Sequence, residues 1–371
     1  MWDATVTAGN ARVPFRFLIS GSGATLQGSF FNGDKQIGST TALIENNTIV
    51  FGYPEYGSTL EVTAANGRLQ GDYHRANGVI YTFEAQRFKP APNTGDIPAI
   101  GGLWTIELPA GKRERAWNLI VRQSGAEVSA AILRVDGDSG AVTGAYDGHT
   151  FILGHFSGAR PLRLELTPTD GETLRVELDS YDTYRAVRGK EARANGLPAP
   201  TDPSRFTSVR DPAAPFAFSF PDLDGHLVTN TDVRFRRKVI LVSIGGTWCP
   251  NCHDEAPFLM ELYRKYRDRG LEIVFLSFEE GNELKSRERL RAFVQRYAVA
   301  YPVLVAGDLR LVHARVPQAV NLEVFPTTFS IGRDGLVRGV RTGFAGEPTG
   351  PFHASLKADV TAEVEQLLAE R

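Results

Sequence analysis

Along the first half of the chain the apolar residues come in short alternating runs, such as Phe15-Arg16-Phe17-Leu18-Ile19, Leu60-Glu61-Val62 and Leu162-Arg163-Leu164-Glu165-Leu166. A period of two sends every second side chain to the same face of an extended strand, so each run predicts a strand with one buried face. Thr48-Ile49-Val50-Phe51 adds a β-branched and aromatic run, and Asn-Gly, Asp-Gly and Gly-rich turns separate the runs. Without a long helical period between them, these runs predict an all-β region of antiparallel strands up to about residue 187, sandwich or barrel-like.

The pattern also repeats, with a period of about 102 residues. Trp2 aligns with Trp104, Phe15-Arg16-Phe17 with Trp117-Asn118-Leu119, Phe51-Gly52-Tyr53 with Leu153-Gly154-His155, and Leu60-Glu61-Val62 with Leu162-Arg163-Leu164. Two related β units are expected, over residues 1–92 and 93–187. Residues 188–214 lose the periodicity and collect Pro, Ala and charge, which predicts a linker. From 215 to 371 strands alternate with helices: strands at 239–244, 271–278 and 327–331, and helices at about 251–269, 284–297 and 356–370. Alternation of this kind predicts an α/β domain, a sheet with helices on its faces. The protein is therefore expected to be multidomain.

The chain has 371 residues, of which 42% are hydrophobic and 23% charged, enough to bury sizeable cores. A formal net charge of -2 with interspersed signs provides no field for nucleic acid, which is excluded as a partner class. No apolar stretch approaches the roughly 20 residues of a membrane-spanning helix. Met1-Trp2-Asp3-Ala4 carries neither a basic nor an apolar leader segment, as expected of a cytoplasmic protein or of the mature end of an exported one.

The chemistry concentrates in the two cysteines, which stand three apart in Trp248-Cys249-Pro250-Asn251-Cys252, directly after the apolar run Val239-Ile240-Leu241-Val242. A pair placed where a strand feeds a helix meets unpaired backbone N–H groups and the positive end of the helix dipole, and both favour a thiolate. Cys249 is the expected nucleophile. Cys252, one turn inward, is placed to attack a mixed disulfide and release the product. Trp248 is expected beside the pair as part of a docking surface. The histidines outside the motif have no metal-ligand spacing, and no Gly-rich phosphate loop opens a helix, so neither metal nor other cofactor is expected.

The run Gly246-Thr247-Trp248-Cys249-Pro250-Asn251-Cys252-His253-Asp254-Glu255-Ala256-Pro257 resembles the active site of thioredoxin-fold proteins, in particular the extracytoplasmic thiol-disulfide oxidoreductases of the TlpA/ResA type. Pro221-Asp222-Leu223-Asp224-Gly225 resembles the opening hairpin of that family. Phe293-Val294-Gln295-Arg296-Tyr297 with Tyr301-Pro302-Val303-Leu304 resembles its inserted helix and strand, and Val324-Phe325-Pro326-Thr327-Thr328-Phe329 its cis-proline segment. The resemblance spans about 215–371 and is silent on the β region. It implies a thioredoxin-like domain in which Pro326 is cis beside the cysteines, Trp248 and Phe325 meet the substrate, and Glu255 relays the proton of the resolving thiol. It further implies protein disulfides as substrates, an upstream thiol reductant such as a membrane thiol-disulfide relay, a periplasmic or otherwise extracytoplasmic location, and net reduction. The β region would then select substrate, hold a partner or form a homodimer.

One departure bears on the proton path: six residues before Cys249, where cytosolic thioredoxins share a buried aspartate, stands Ser243. Three rival readings stay open. Cys252-His253 completes the Cys-X-X-Cys-His signature of c-type haem attachment, His253 otherwise acting on the thiols electrostatically. A peroxiredoxin-like peroxidase shares the fold superfamily, although Gly246 stands where its pattern needs Thr or Ser. The pair could also be a passive disulfide in a binding protein.

Overall fold

The computed structural model describes residues 1–91, 95–281 and 283–370, so the junction expected at residues 92 and 93 lies outside the described residues. The chain divides into two compact units, the first comprising Met1–Arg134, Asp138–Pro200 and Glu347–Thr349 and the second the remainder.

The alternating runs of the first unit become two nine-stranded sheets. The first contains β1 (Trp2–Ala8), β2 (Ala11–Ser20), β3 (Gln27–Asn32), β4 (Lys35–Gly38), β5 (Thr41–Glu45), β6 (Thr48–Tyr53), β7 (Ser58–Ala65), β8 (Arg68–His74) and β9 (Ile80–Arg87). The second contains β10 (Gly102–Glu107), β11 (Ala116–Ser124), β12 (Glu127–Arg134), β13 (Gly137–Asp138), β14 (Val142–Tyr146), β15 (Phe151–His155), β16 (Leu162–Pro168), β17 (Thr173–Leu178) and β18 (Asp182–Arg188). In the second sheet β11 pairs with both β10 and β12, which closes an eight-stranded barrel with β13 appended. The first sheet runs β4-β3-β2-β1-β9-β8-β7-β6-β5. Its two edge strands are joined directly by Ser39 and Thr40, and that short link curls the sheet until its edges approach.

The aligned tryptophans have matching strand partners in the two sheets. Trp2 pairs with Phe17 and Arg87, and Trp104 with Leu119 and Arg188. Each tryptophan carries its strand partner's guanidinium over the ring, at 4.1 Å for Arg87 and 4.4 Å for Arg188. One alignment needs correction. Phe51 pairs with Leu60, whereas Leu153 pairs with Leu164, so Leu60 corresponds to Leu164 rather than Leu162. The connection between β15 and β16 is the longer of the two, and the run of alternating leucines hid the offset.

The two cores differ in kind: the second is mainly aliphatic around Trp104, while the first is a cluster of aromatic rings. Phe30 sits within that cluster, with ring centroids 5.2 Å from Phe17, 5.0 Å from Tyr53 and 5.1 Å from Phe156. Phe30→Ala removes a ring that several others rest on, and the expected cost is about 3–5 kcal/mol of unfolding free energy. Denaturant unfolding of the full chain checks this; a change under about 1 kcal/mol would mean that the cluster repacks.

The expected linker carries ordered elements. α1 (Gly189–Ala194) buries Ala192, and β19 (Ser208–Val209) pairs with a distant strand. A six-residue helix and a two-residue strand are too short to show a period, so both escape sequence reading. The second unit continues with a hairpin of β20 (Ser219–Pro221) and β21 (Leu227–Thr229), then β22 (Val239–Gly245), α2 (Pro250–Tyr266), β23 (Leu271–Glu279), α3 (Glu283–Ser286), α4 (Glu288–Tyr297) and β24 (Val303–Asp308). It ends with α5 (Val312–Arg315), β25 (Ala319–Val320), β26 (Thr327–Ile331), β27 (Val337–Thr342) and α6 (Pro351–Ala369). β25 is the partner of β19.

The main sheet runs β24-β23-β22-β26-β27, parallel across β22, β23 and β24 and antiparallel at β26 and β27. Alternation along β22 sends Ile240, Val242 and Ile244 into one apolar cluster and Val239 and Leu241 into another, shared with α2, α4 and α6. Two helix boundaries differ from expectation. The helix expected at 284–297 is broken at Arg287, whose backbone is left-handed at φ 57° and whose guanidinium bonds the carbonyls of Asp222 and Leu223. The last helix begins at Pro351, since proline is suited to a first helical position, rather than at 356.

Candidate functional site

β22 delivers the chain to the cysteines through Gly245 and Gly246, and neither position has room for a side chain. A Cβ on Gly245 would collide with Cys252 Sγ, and one on Gly246 with the Trp248 indole and the Phe278 carbonyl. That clearance lets Trp248 Nε1 donate to the Phe278 carbonyl at 2.8 Å. A turn closed by Cys249 N–H on the Gly246 carbonyl, at 3.1 Å, then leads into α2.

Cys249 is the N-cap of α2 and Pro250 its first residue, as expected for a helix whose first N–H groups lack partners. The cysteines form a disulfide with Cα atoms 5.3 Å apart. Cys249 Sγ accepts the Cys252 backbone N–H at 3.2 Å, so the group that would steady a thiolate on Cys249 is already in place. Cys249 is 4% exposed and Cys252 2%. The cysteine nearer the surface is the one at the helix end.

Phe325-Pro326 is a cis peptide bond. Thr327 pairs with Ile244, so Pro326 lies at the strand end beside Gly245, and its carbonyl accepts the Gly343 N–H at 2.6 Å. Trp248 and Phe325, both half-buried, meet edge to face at 5.5 Å between centroids. The two aromatic residues expected to meet a substrate thus form one surface.

Glu255, one turn beyond Cys252 on α2, is 6% exposed. Ser243 and Thr328 are directly opposed across β22 and β26, and alternation turns both toward α2. Each donates a hydroxyl to the Glu255 carboxylate, Ser243 to Oε2 at 2.7 Å and Thr328 to Oε1 at 2.9 Å. Burial raises the Glu255 carboxyl from its ordinary 4.5 to about 7, against the lowering effect of the two hydroxyls. An acid balanced near neutrality can accept and return a proton.

His253 is held from both sides of its ring. Its Nε2 lies 2.8 Å from the Thr247 carbonyl and its Nδ1 2.9 Å from the Tyr297 hydroxyl, with the ring buried against Phe293. Both nitrogens are engaged by the protein, so the ring ties the redox loop to α4 and is not presented as a haem ligand. Sequence reading also missed Glu279, at the end of β23. It is fully buried and accepts the Thr247 N–H and hydroxyl, each at 2.7 Å, and the Ser277 hydroxyl at 2.7 Å. Only its phase offers a signal: Phe275, Ser277 and Glu279 share a face of β23 with the helices.

Residues 209–340 match the AhpC/TSA family, within the second unit. The chain is 31% identical over 122 residues to the thiol-disulfide oxidoreductase ResA of Bacillus thuringiensis subsp. konkukian, covering 32% of this chain and 62% of that protein. It is 29% identical over 164 residues to ResA of Bacillus subtilis, covering 44% of this chain and 76% of that protein. Among solved structures, a secreted thiol-disulfide isomerase from Corynebacterium glutamicum shares 17% identity with a TM-score of 0.37, covering 46% of this chain and 96% of that one. A thiol:disulfide interchange protein of the thioredoxin family from Chlorobium tepidum shares 24% identity with a TM-score of 0.33, covering 42% of this chain and 99% of that one. The C-terminal unit carries a thioredoxin-like domain similar to the ResA thiol-disulfide oxidoreductases.

Proposed function

We propose, from a C-terminal domain of this kind, that the protein exchanges thiols and disulfides on protein substrates in the reductive direction, at Cys249 and Cys252. The observation that carries the reading is the disulfide at the N-terminus of α2, with its cap N–H on Cys249 and the cis Phe325-Pro326 segment beside it. In the reduced protein, Cys249 thiolate attacks a substrate disulfide, one substrate sulfur leaves as thiolate and takes up a proton, and a mixed disulfide forms. Glu255 takes the proton from Cys252, whose thiolate attacks Cys249 Sγ. The second substrate thiol leaves, and two electrons have passed from the pair to the substrate. An upstream thiol reductant, such as a membrane relay, then restores the pair.

Trp248 and Phe325 form the docking surface in this reading, and the cis Pro326 leaves the adjacent backbone to bond an extended peptide as an added strand. The β region serves as substrate or partner module or as a homodimer contact. A groove of about 580 Å³ in the first unit, lined by Arg12, Arg16, Glu84, Phe88 and Glu127 among others, supports a binding role. The location that goes with the reading is periplasmic or otherwise extracytoplasmic. Among the described residues no helix is long and apolar enough to cross a membrane.

Titration of the pair against glutathione or dithiothreitol tests the proposal. A midpoint near the roughly -270 mV of thioredoxin is expected, while one near -120 mV would make the protein an oxidase. A pair that stays oxidised throughout would be a passive disulfide, and the proposal would fail.

A further inference from the structure

We infer that α4 governs the reactivity of Cys249 from a distance, with Arg289 and Tyr297 as positioning residues that hold Thr247 through Glu279 and His253. The inference rests on the reading of Cys249 as the exchanging thiol.

Thr247 stands two residues before the nucleophile, and each of its polar groups is committed to a neighbour. Its N–H and hydroxyl donate to the two oxygens of Glu279, and its carbonyl faces His253 Nε2. A carbonyl oxygen can only accept, so Nε2 carries the hydrogen, and in the neutral ring Nδ1 accepts the Tyr297 hydroxyl. The first route runs through Glu279. Arg289 Nη2 donates to its carboxylate at 3.2 Å, and Arg289 Nε lies 3.5 Å from Glu283, itself bonded to the Leu290 N–H.

Arg289 and Tyr297, with Phe293 between them, stand four residues apart in turn and so share one face of α4. Phe293 stacks on Phe275 and meets His253 edge on, at 5.7 and 5.1 Å, which keeps the face in register with β23 and α2. Two independent ties therefore converge on Thr247 from a single helix face.

Their effect on chemistry follows from what Thr247 supports. It lies inside the turn closed by Cys249 N–H on the Gly246 carbonyl, and that turn aims Cys249 Sγ at the Cys252 N–H. Removing Arg289 leaves the buried carboxylates of Glu279 and Glu283 without the cation between them. A Glu279 that then takes up a proton accepts the two Thr247 donors more weakly, and the thiolate loses alignment with the helix end.

The test uses the full chain in a Cys252→Ser background, with the rate of Cys249 alkylation by iodoacetamide followed against pH. Reduction potentials are measured in parallel with both cysteines present. Arg289→Gln is expected to lower the thiolate fraction at pH 7 roughly threefold to tenfold, and Tyr297→Phe, which keeps the ring, roughly twofold to threefold. The potentials shift to the reducing side in the same order, because the reduced form loses its stabilisation. Arg289→Lys restores part of the loss by returning a charge without the planar fork. Alkylation profiles and potentials coincident with the parent in Tyr297→Phe and in a folded Arg289→Gln would overturn the inference. If Arg289→Gln does not fold, an unchanged Tyr297→Phe overturns it alone. Alkylation needs neither client nor reductant, so a parent protein inert toward protein disulfides would refute the proposed function while this comparison still judges α4.

Discussion

Cys252→Ser is expected to arrest exchange at its midpoint, leaving a client held on Cys249 by a disulfide that survives denaturation and yields to dithiothreitol. Cys249 caps α2 and its Sγ accepts the Cys252 N–H, the position that favours a thiolate, so it is the sulfur expected to attack an incoming disulfide. Cys252 lies on the first turn of the same helix, and in the proposed exchange it attacks Cys249 Sγ. Serine fills the same space but cannot displace a thiolate, so the first exchange proceeds and the second does not. The reciprocal Cys249→Ser variant traps nothing, and its reductase rate falls roughly a thousandfold or more, as when a covalent nucleophile is removed. Non-reducing electrophoresis against a protein disulfide reads both outcomes. Trapping through Cys252 in the Cys249→Ser variant, with none in Cys252→Ser, would reverse the assignment.

The second large effect is one of pH and stability at Glu255. Its carboxyl titrates at about 7 in the folded chain against 4.5 for an unperturbed glutamate. Between those values the folded chain binds more protons than the unfolded one, so stability falls as pH rises. The contribution is fully present below 4.5 and lost as pH passes through about 7. A separation of this size corresponds to on the order of 3 kcal/mol. Glu255→Gln keeps the shape and cannot ionise. The variant is therefore expected to lose this slope and to be the more stable of the two at pH 8. Denaturant unfolding of the oxidised proteins between pH 4 and 8 makes the comparison, and parallel profiles would show that Glu255 does not titrate in this range. In the proposed exchange the same substitution would remove the acceptor for the Cys252 proton, and resolution of the mixed disulfide at pH 7 is expected to slow roughly tenfold to a hundredfold.

Much of this arrangement can be read along the chain. The spacing of Cys249 and Cys252 after an apolar strand leads to the helix cap, and the family resemblance of the segment around Pro326 implies the cis proline that the structure has. Trp248 and Phe325, separated by most of a domain in sequence, meet as one surface. The break at Arg287 was hidden because the apolar period of Leu284, Leu290, Phe293 and Val294 runs on through it, and it is the carbonyls of Asp222 and Leu223, distant in sequence, that hold its guanidinium. Likewise the short pairing of β19 with β25 has no counterpart in local pattern.

By itself the sequence determined the properties that depend on near neighbours: period-two strands, the matched placing of Trp2 and Trp104, and a cysteine pair at a helix start. Those follow from backbone geometry and helix electrostatics over a few residues. Closure was decided elsewhere, since alternation is the same in a sandwich and a barrel and only the pairing of β11 with β12 completes the ring. The surroundings of the cysteines were decided there too. Ser243 and Thr328 reach Glu255 because the strands pair in that register, and Thr247 reaches Glu279 across 32 residues of chain. Buried polar groups must find partners wherever the fold brings them, and sequence distance carries no record of that choice.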